Sequence, residues 1–288
     1  VAHYLGLAGD DVTLAVLPLS FDYGQNQLLS TWYAGGCVVP LDFLFPRDVV
    51  KACARHRITT LAAVPPLWVQ LTETEWPAEA HASLRRLTNS GGALTTDLVR
   101  NLRATFPQAA LYPMYGLTEA FRSTYLDPAL VDSHPTSMGK AIPLAEILVV
   151  NDAGDVVAAA STHGGTAVWS GDRVRRDAQG LLYFAGRRDA MIKSAGNRIS
   201  PQEIEEAALA TGLAAEAVAL GIADARLGQS VHLVVRGKAA GSDALARALQ
   251  RELPTFMQPQ HIHWREAMPL NPNGKIDRPA LAAELAER

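Results

Sequence analysis

A tyrosine, a threonine and a glutamate fall together in Tyr115-Gly116-Leu117-Thr118-Glu119, directly after the apolar run from Ala110 to Met114. Tyrosine offers a flat face to a base, threonine a hydroxyl to a phosphate oxygen, and glutamate a carboxylate to Mg²⁺. The same five residues also suit an ordinary turn and cap. A second tract, Gly171-Asp172 after Trp169-Ser170, sets an acceptor at a tight turn, where it either takes two ribose hydroxyls or only shapes the turn. The third runs from Gly186-Arg187-Arg188-Asp189 through Lys193-Ser194-Ala195-Gly196-Asn197-Arg198 to Ser200-Pro201-Gln202-Glu203. It joins an arginine-bearing turn to a helix start. The fourth, Pro272-Asn273-Gly274-Lys275-Ile276-Asp277-Arg278, presents a lysine on a turn near the C-terminus. Taken alone, Asn-Gly-Lys is a solvated turn.

The elements that must hold these tracts follow from periodicity. Short apolar and β-branched runs at Val12 to Pro18, Cys37 to Leu41, Thr60 to Val64, Arg86 to Asn89 and Ala110 to Met114 alternate with helical spacing, the layout of parallel strands with crossover helices. Leu98, Leu102 and Phe106 mark one such helix, starting at Thr95 or Thr96 and stopped by Pro107. The Tyr115 tract then lies at the carboxyl end of a strand, where open α/β sheets bind ligands. From Ala145 to Phe184 shorter runs (Glu146 to Val150, Val156 to Ala159, Ala167 to Trp169, Leu181 to Phe184) predict a small β region. A second domain starts near Gly186. Ser200 to Glu203 has the pattern of a capping box with Pro201 at the first helical position, leading a helix to about Ala210. Strands at Ala217 to Ile222, Val231 to Val235 and His261 to Trp264, a helix at Asp243 to Leu253 and a helical tail complete it.

Composition sets the outer limits. The 288 residues, 48% hydrophobic and 19% charged, suffice for one large domain or two ordinary ones with a substantial core. A net charge of -3 gives no electrostatic reason to bind nucleic acid. Two cysteines, Cys37 and Cys53, make neither a disulfide framework nor a zinc site, and the expectation is a reducing, cytoplasmic setting. No apolar run reaches the length of a membrane span; Ala207 to Ala223 comes closest and is interrupted by Thr211, Gly212 and Glu216. No two glycines are separated by one residue, so the dinucleotide fingerprint is absent, as are the phosphate loop GxxxxGK, the nucleophile elbow GxSxG, HExxH and paired CxxC. No histidine is assigned a catalytic role.

In this order, the four tracts resemble the adenylate-forming superfamily of acyl-CoA synthetases, luciferases and peptide-synthetase adenylation domains, over nearly the entire chain from Leu17 to Arg278. Ser20-Phe21-Asp22-Tyr23-Gly24 and Phe121-Arg122-Ser123-Thr124-Tyr125-Leu126 are most similar to the AMP-forming acyl-CoA ligases found beside exosortase systems. The resemblance implies an α/β fold: a partial parallel-sheet AMP-binding domain with a small β region over residues 1–188, and a mobile α+β C-terminal domain over 189–288. It implies ATP-dependent activation of a small-molecule carboxylate as an acyl-adenylate, then transfer to coenzyme A or to the phosphopantetheine of an acyl carrier protein. Gly91, Gly92, Ala93 and Tyr115 are implied to line the adenine slot, with Gly116 beside them. Thr118 takes the α-phosphate and Glu119 the Mg²⁺. Asp172 and Arg187 fix the ribose, and Arg198 joins the nucleotide-binding set. Asp189 is the implied hinge, whose rotation exchanges Lys275, which bridges the carboxylate and α-phosphate, for the Lys193 to Gly196 loop.

Asp22 reads two ways. In peptide-synthetase relatives an aspartate in a Ser-Phe-Asp tract pairs with the substrate ammonium, which makes amino-acid adenylation an alternative; otherwise Asp22 caps a helix starting near Gly24. Trp68, Met114 and Phe121 either line an acyl pocket or pack the core. Two departures stand against the pattern. The Ser/Thr/Gly-rich loop that grips the β- and γ-phosphates is missing upstream of Leu17, and the segment between Ala160 and Trp169 is abbreviated. With a start at Val1, these lead to the expectation of a fragment, or of a remnant that binds AMP or an acyl-adenylate without turnover.

Overall fold

The computed structural model describes residues 1–150, 156–158, 168, 170–187, 190–237 and 241–287. In chain order, the elements up to the glutamate-bearing turn are α1 (Ala2–Leu5), β1 (Val12–Ala15), α2 (Asp22–Tyr33), β2 (Cys37–Pro40), α3 (Pro46–His56), β3 (Thr60–Ala63), α4 (Pro65–Thr72), α5 (Ala78–His81), β4 (Arg86–Asn89), α6 (Thr96–Thr105) and β5 (Ala110–Tyr115). There follow β6 (Thr124–Tyr125), β7 (Ser137–Ala141), β8 (Val149–Val150), β9 (Val156–Ala158), β10 (Asp172–Arg176) and β11 (Leu182–Arg187). The remainder is β12 (Ile192–Ser194), β13 (Asn197–Ile199), α7 (Pro201–Ala210), β14 (Ala214–Asp224), β15 (Gly228–Gly237), α8 (Ser242–Glu252), β16 (His261–Arg265) and α9 (Arg278–Ala286).

The chain divides into two compact units. The first holds Val1–Ser170, Arg175–Tyr183 and Pro272–Lys275; the second holds Gly171–Val174, Phe184–Asn271 and Ile276–Arg288. In the sheet order β10-β11-β7-β6-β5-β4-β3-β1-β2, strands β2, β1, β3, β4 and β5 run parallel, as their sequence periodicity predicts. Beyond β5 the sheet turns antiparallel through β6 and β7, two strands that no sequence pattern marked. β6 is only two residues long, and Gly139 sits inside β7 at φ +79 with its α-carbon against the Tyr125 carbonyl, where any β-carbon would clash.

Helices cover the parallel strands because their apolar faces require it. Leu14, Leu61, Leu87 and Leu111 occupy successive strands and are fully or almost fully buried with Val49, Leu71 and Leu102 from α3, α4 and α6. Each such leucine contributes about 1.5–3 kcal/mol by leaving water. α6 begins as the sequence predicts, with Thr95 Oγ1 accepting from the Leu98 N–H at 3.1 Å. At the opposite strand ends Asp11, its side chain 0% exposed, accepts from Arg85 and Arg86 at 2.7 Å each and from the Thr59 hydroxyl. Among the described residues of the expected small β region, β8 pairs antiparallel with β9, and Leu181 to Phe184 falls on β11, which joins the large sheet. Ala167 and Trp169, expected to begin and end another strand, lie outside the described residues.

The second unit is built on the long hairpin of β14 and β15, with β16 parallel to β15. Its two faces are separate cores. Ile204, Leu245 and Leu249 of α7 and α8 pack on Val231, Leu233 and Val235, whereas Leu281 and Leu285 of α9 pack on Val218 and Val234. α7 spans the expected Pro201 to Ala210, but the capping box is not formed. Ser200 precedes the helix without a side-chain cap bond, and its buried Oγ has no hydrogen-bond partner among the described residues. The hydroxyl is packed beside Gly186, 3.2 Å from where a β-carbon would stand, and so does not reach the first turn.

Candidate functional site

Parallel β1, β3, β4 and β5 bring their carboxyl ends to one edge of the first unit. The segments leaving those ends are Leu17 to Phe21, Val64-Pro65, Ser90 to Ala93 and Tyr115 to Glu119, three of which hold residues singled out from the sequence.

Lys275 lies against Gly91, the first of the two glycines that follow β4. A β-carbon on Gly91, whose φ is +83, would stand 2.6 Å from Lys275 Cε and 3.2 Å from its Nζ. The lysine stem fits there because Gly91 has no side chain. A β-carbon on Gly92 would stand 2.9 Å from Pro65 Cγ, and Ala93 is exposed just beyond. The strand end just before them is polar. Asn89 and Ser90 are buried, Asn89 Nδ2 donates to the Gly92 carbonyl at 2.9 Å, and Asn89 Oδ1 and Ser90 Oγ have no partner among the described residues. Buried polar atoms left open in this way are what a ligand or an ordered water satisfies.

Tyr115 closes β5, half-buried, and its carbonyl accepts from Ser123 N–H at 2.9 Å. The loop folds tightly back on itself at Gly116, where a β-carbon would be 1.8 Å from the Phe121 carbonyl oxygen. Thr118 and Glu119 stand exposed on the intervening turn. Among the described residues no group of three or more His, Cys, Asp or Glu could hold a metal. A single exposed carboxylate fits Mg²⁺, which takes one or two carboxylates and draws its other ligands from phosphates and water.

Asp22 is the first residue of α2, so the helix starts two positions earlier than Gly24 and Asp22 is not its cap; the residue before the helix is Phe21. Negative charge in a first helical turn is favourable. The Asp22 carboxylate is nevertheless engaged elsewhere, accepting from Arg122 Nη2 at 3.0 Å. Arg122 also donates from Nη1 to the Phe121 carbonyl at 2.9 Å, and its guanidinium lies 4.6 Å over the Tyr23 ring. Lys275 Nζ is 4.7 Å from the centroid of Phe21. Burial lowers the Lys275 amine below the ordinary lysine range; the Asp22 charge raises it and the Arg122 charge lowers it further.

The second unit holds the other expected groups. Asp172 begins β10 and Arg187 ends β11, with Arg187 Nε 3.7 Å from Asp172 Oδ1. Arg198 on β13 is opposite Lys193 on β12, across a turn in which Ala195 and Gly196 have φ 48 and 81. Asp189, the expected hinge, lies outside the described residues. Of the apolar trio, Trp68 is fully buried in the core and Met114 is buried with its sulfur accepting from the Tyr4 hydroxyl at 3.1 Å, so both serve packing; Phe121 is 37% exposed on the loop.

A family model described as AMP-binding enzyme matches residues 1–176, and one described as AMP-binding enzyme C-terminal domain matches residues 203–275. The chain belongs to the AMP-binding enzyme family. Its relatives include an L-proline–[L-prolyl-carrier protein] ligase of Streptomyces coelicolor, 31% identical over 99% of this chain and 60% of that protein. A sulfoacetate–CoA ligase of Cupriavidus necator is also 31% identical, over 96% of this chain and 59% of that protein. Among solved structures, that of an anthranilate CoA ligase in complex with anthranoyl-AMP superposes with a TM-score of 0.82 at 22% identity, covering 98% of this chain and 62% of the other. The AMP-binding chain thus spans about 60% of the length of these curated relatives.

Within this AMP-binding chain, the contribution that sequence reasoning missed is the pairing role of Arg122. It was legible only as part of a tract, because its partner Asp22 lies 100 residues away and no local pattern links them. Asn89 and Ser90 gave no signal beyond ending an apolar run.

Proposed function

We propose that this chain activates a carboxylate as its acyl-adenylate and delivers the acyl group to a thiol, that of coenzyme A or of a carrier-protein phosphopantetheine. In the first half-reaction a carboxylate oxygen attacks the α-phosphorus of ATP and the bond to the bridging oxygen of pyrophosphate breaks. In the second the thiol sulfur attacks the acyl carbonyl, AMP leaves with the former carboxylate oxygen, and the thiol proton is released.

The observation that carries this reading is the position of Lys275. A lysine on an Asn-Gly turn is held against the Gly91 backbone at the carboxyl ends of parallel strands, partly desolvated, where its charge acts on an anion more strongly than in water. Lys275 then neutralises the charge that gathers between the carboxylate and the α-phosphate. Gly91, Gly92, Ala93 and Tyr115, with Gly116, take the adenine, and Thr118 donates to the α-phosphate. In the second unit Asp172 and Arg187 are assigned the ribose hydroxyls, with Arg198 in the same set. Mg²⁺, held by Glu119, supplies charge neutralisation at the phosphates when bound. The relatives named as a carrier-protein ligase and a CoA ligase support the shared two-step chemistry without choosing the thiol.

Titration with an acyl-sulfamoyl adenosine, a nonhydrolysable acyl-adenylate mimic, tests the reading by calorimetry and by thermal shift. Ligand at 100 times its Kd raises stability by about 2.7 kcal/mol. Lys275→Ala should weaken binding and abolish any carboxylate-dependent ATP–pyrophosphate exchange. Failure of both AMP and the mimic to bind sinks the proposal, and binding without exchange reduces it to an adenylate-binding remnant.

A further inference from the structure

The side chains of Asp22 and Arg122 are 7% and 2% exposed, and they face each other at 3.0 Å. This carboxylate already has its counter-charge. The guanidinium is fixed as well, by the Phe121 carbonyl and by the face of Tyr23. Lys275 enters the same neighbourhood, over the ring of Phe21, and its amine is influenced by the charges of both Asp22 and Arg122. Two cations and one carboxylate therefore share this part of the first unit.

An arriving ligand carboxylate meets positive charge there. An arriving ammonium fares badly by either route open to it. It can displace Arg122 from Asp22, which strands a buried guanidinium without its anion. Alternatively it stands beside two cations in a partly desolvated setting, where like charges repel far more than in water. A ligand whose carboxylate pairs with Lys275 brings the substituents of its adjacent carbon to these same charges. One further atom points the same way: Arg122 Nε is buried and has no hydrogen-bond partner among the described residues, so the guanidinium still has a donor to offer an acceptor.

Resting on the carboxylate-activation reading, we infer that the acyl substrate is a carboxylate carrying no ammonium on the adjacent carbon, and that Arg122 sets this exclusion by occupying Asp22. Arg122 is then a specificity-determining residue. The named relatives span both substrate kinds, one a ligase of proline and the other of sulfoacetate, so family membership alone does not decide between them.

The test uses matched mimics that differ only in the ammonium: propanoyl- against L-alanyl-sulfamoyl adenosine, and 3-phenylpropanoyl- against L-phenylalanyl-sulfamoyl adenosine, titrated into the full 288-residue chain with AMP as a reference. The ammonium-free member of each pair should bind at least about tenfold tighter, a difference of about 1.4 kcal/mol. Arg122→Gln should narrow that gap by releasing Asp22. Asp22→Asn, which keeps the side-chain shape, should not weaken the ammonium-bearing mimics relative to their partners. Equal or tighter binding of the ammonium-bearing mimics overturns the inference, as does a tenfold loss confined to those mimics in Asp22→Asn. If AMP itself fails to bind alongside all four mimics, the carboxylate-activation reading has failed and the specificity inference falls with it.

Discussion

Replacing Gly91 with alanine tests the position of Lys275 through shape instead of charge. The new β-carbon would stand 2.6 Å from Lys275 Cε, 3.2 Å from its Nζ and 3.3 Å from Val64 Cγ1, on a backbone with φ +83. An L-residue in the left-handed region costs about 1–2 kcal/mol, and urea denaturation should show that loss. Of the groups in the way, the lysine end yields most easily, so the amine moves off its position. A hydrogen bond to a charged group is worth about 1.5–3 kcal/mol, which is roughly 10- to 100-fold in affinity for an acyl-sulfamoyl adenosine. Lys275→Ala should lose the same affinity without the backbone cost. The double variant should keep the stability loss of Gly91→Ala and bind no worse than Lys275→Ala, because both changes remove one contact. Two outcomes refute the reasoning: affinity losses that add in the double variant, or a Gly91→Ala protein that is destabilised yet binds the mimic at full strength.

Three further changes probe the scaffold. Asp11→Asn should cost about 3 kcal/mol at neutral pH by denaturant titration, since it removes the anion that Arg85 and Arg86 share. Burial pushes the Asp11 carboxyl up, but the Thr59 hydroxyl, the Ala8 N–H and the two arginines outweigh it and hold it below the usual range; the deficit should therefore shrink as the pH falls through that depressed value. Arg278→Met leaves Glu205 without its partner at 2.7 Å, and burial already raises that carboxyl, so the variant should lose about 1–3 kcal/mol at pH 7 and recover part of it on acidification. A loss that is flat with pH would sink this account. His232 is lowered to about 4 by burial and by His261 and His263, whose rings lie 4.4 and 5.1 Å away. Its contribution is present above the ordinary histidine value and lost as the pH drops from about 6.5 toward 4, so His232→Gln should flatten that limb by about 1–2 kcal/mol after screening.

The parallel half of the first sheet was legible because its strands read as apolar or β-branched runs, from the fully buried β3 to the exposed edge strand β2; each begins where the sequence placed it. The ends were less legible. Val12 to Pro18 reads as one strand, yet the chain leaves the sheet after Ala15, because the carbonyls of Leu17 and Pro18 turn to lie against Gly24, within 2.7 Å of where its β-carbon would be. β6 is only two residues long, too short to show an alternation, and Gly139 inside β7 reads locally as a breaker.

The same contrast decides how far function could be read. The turn that presents Lys275 was legible from a local pattern, since Asn-Gly makes a turn and Gly274 adopts φ +73, while the role expected of the lysine came from the resemblance of the four tracts. Asp22 was legible as a residue but not as a charge. Its tract suggests an open carboxylate, and only the fold supplies Arg122, from a loop bent sharply by Gly116 and Phe121. Placing that guanidinium needs the antiparallel turn after β5, the feature that periodicity did not reveal. Hence the residues proposed for adenylate chemistry are written in short tracts, while the charge balance proposed to select the acyl group is a property of tertiary contacts. Substrate class in this chain should accordingly follow changes at position 122 more closely than changes within the Tyr115 to Glu119 tract, which a matched set of ammonium-bearing and ammonium-free mimics can measure directly.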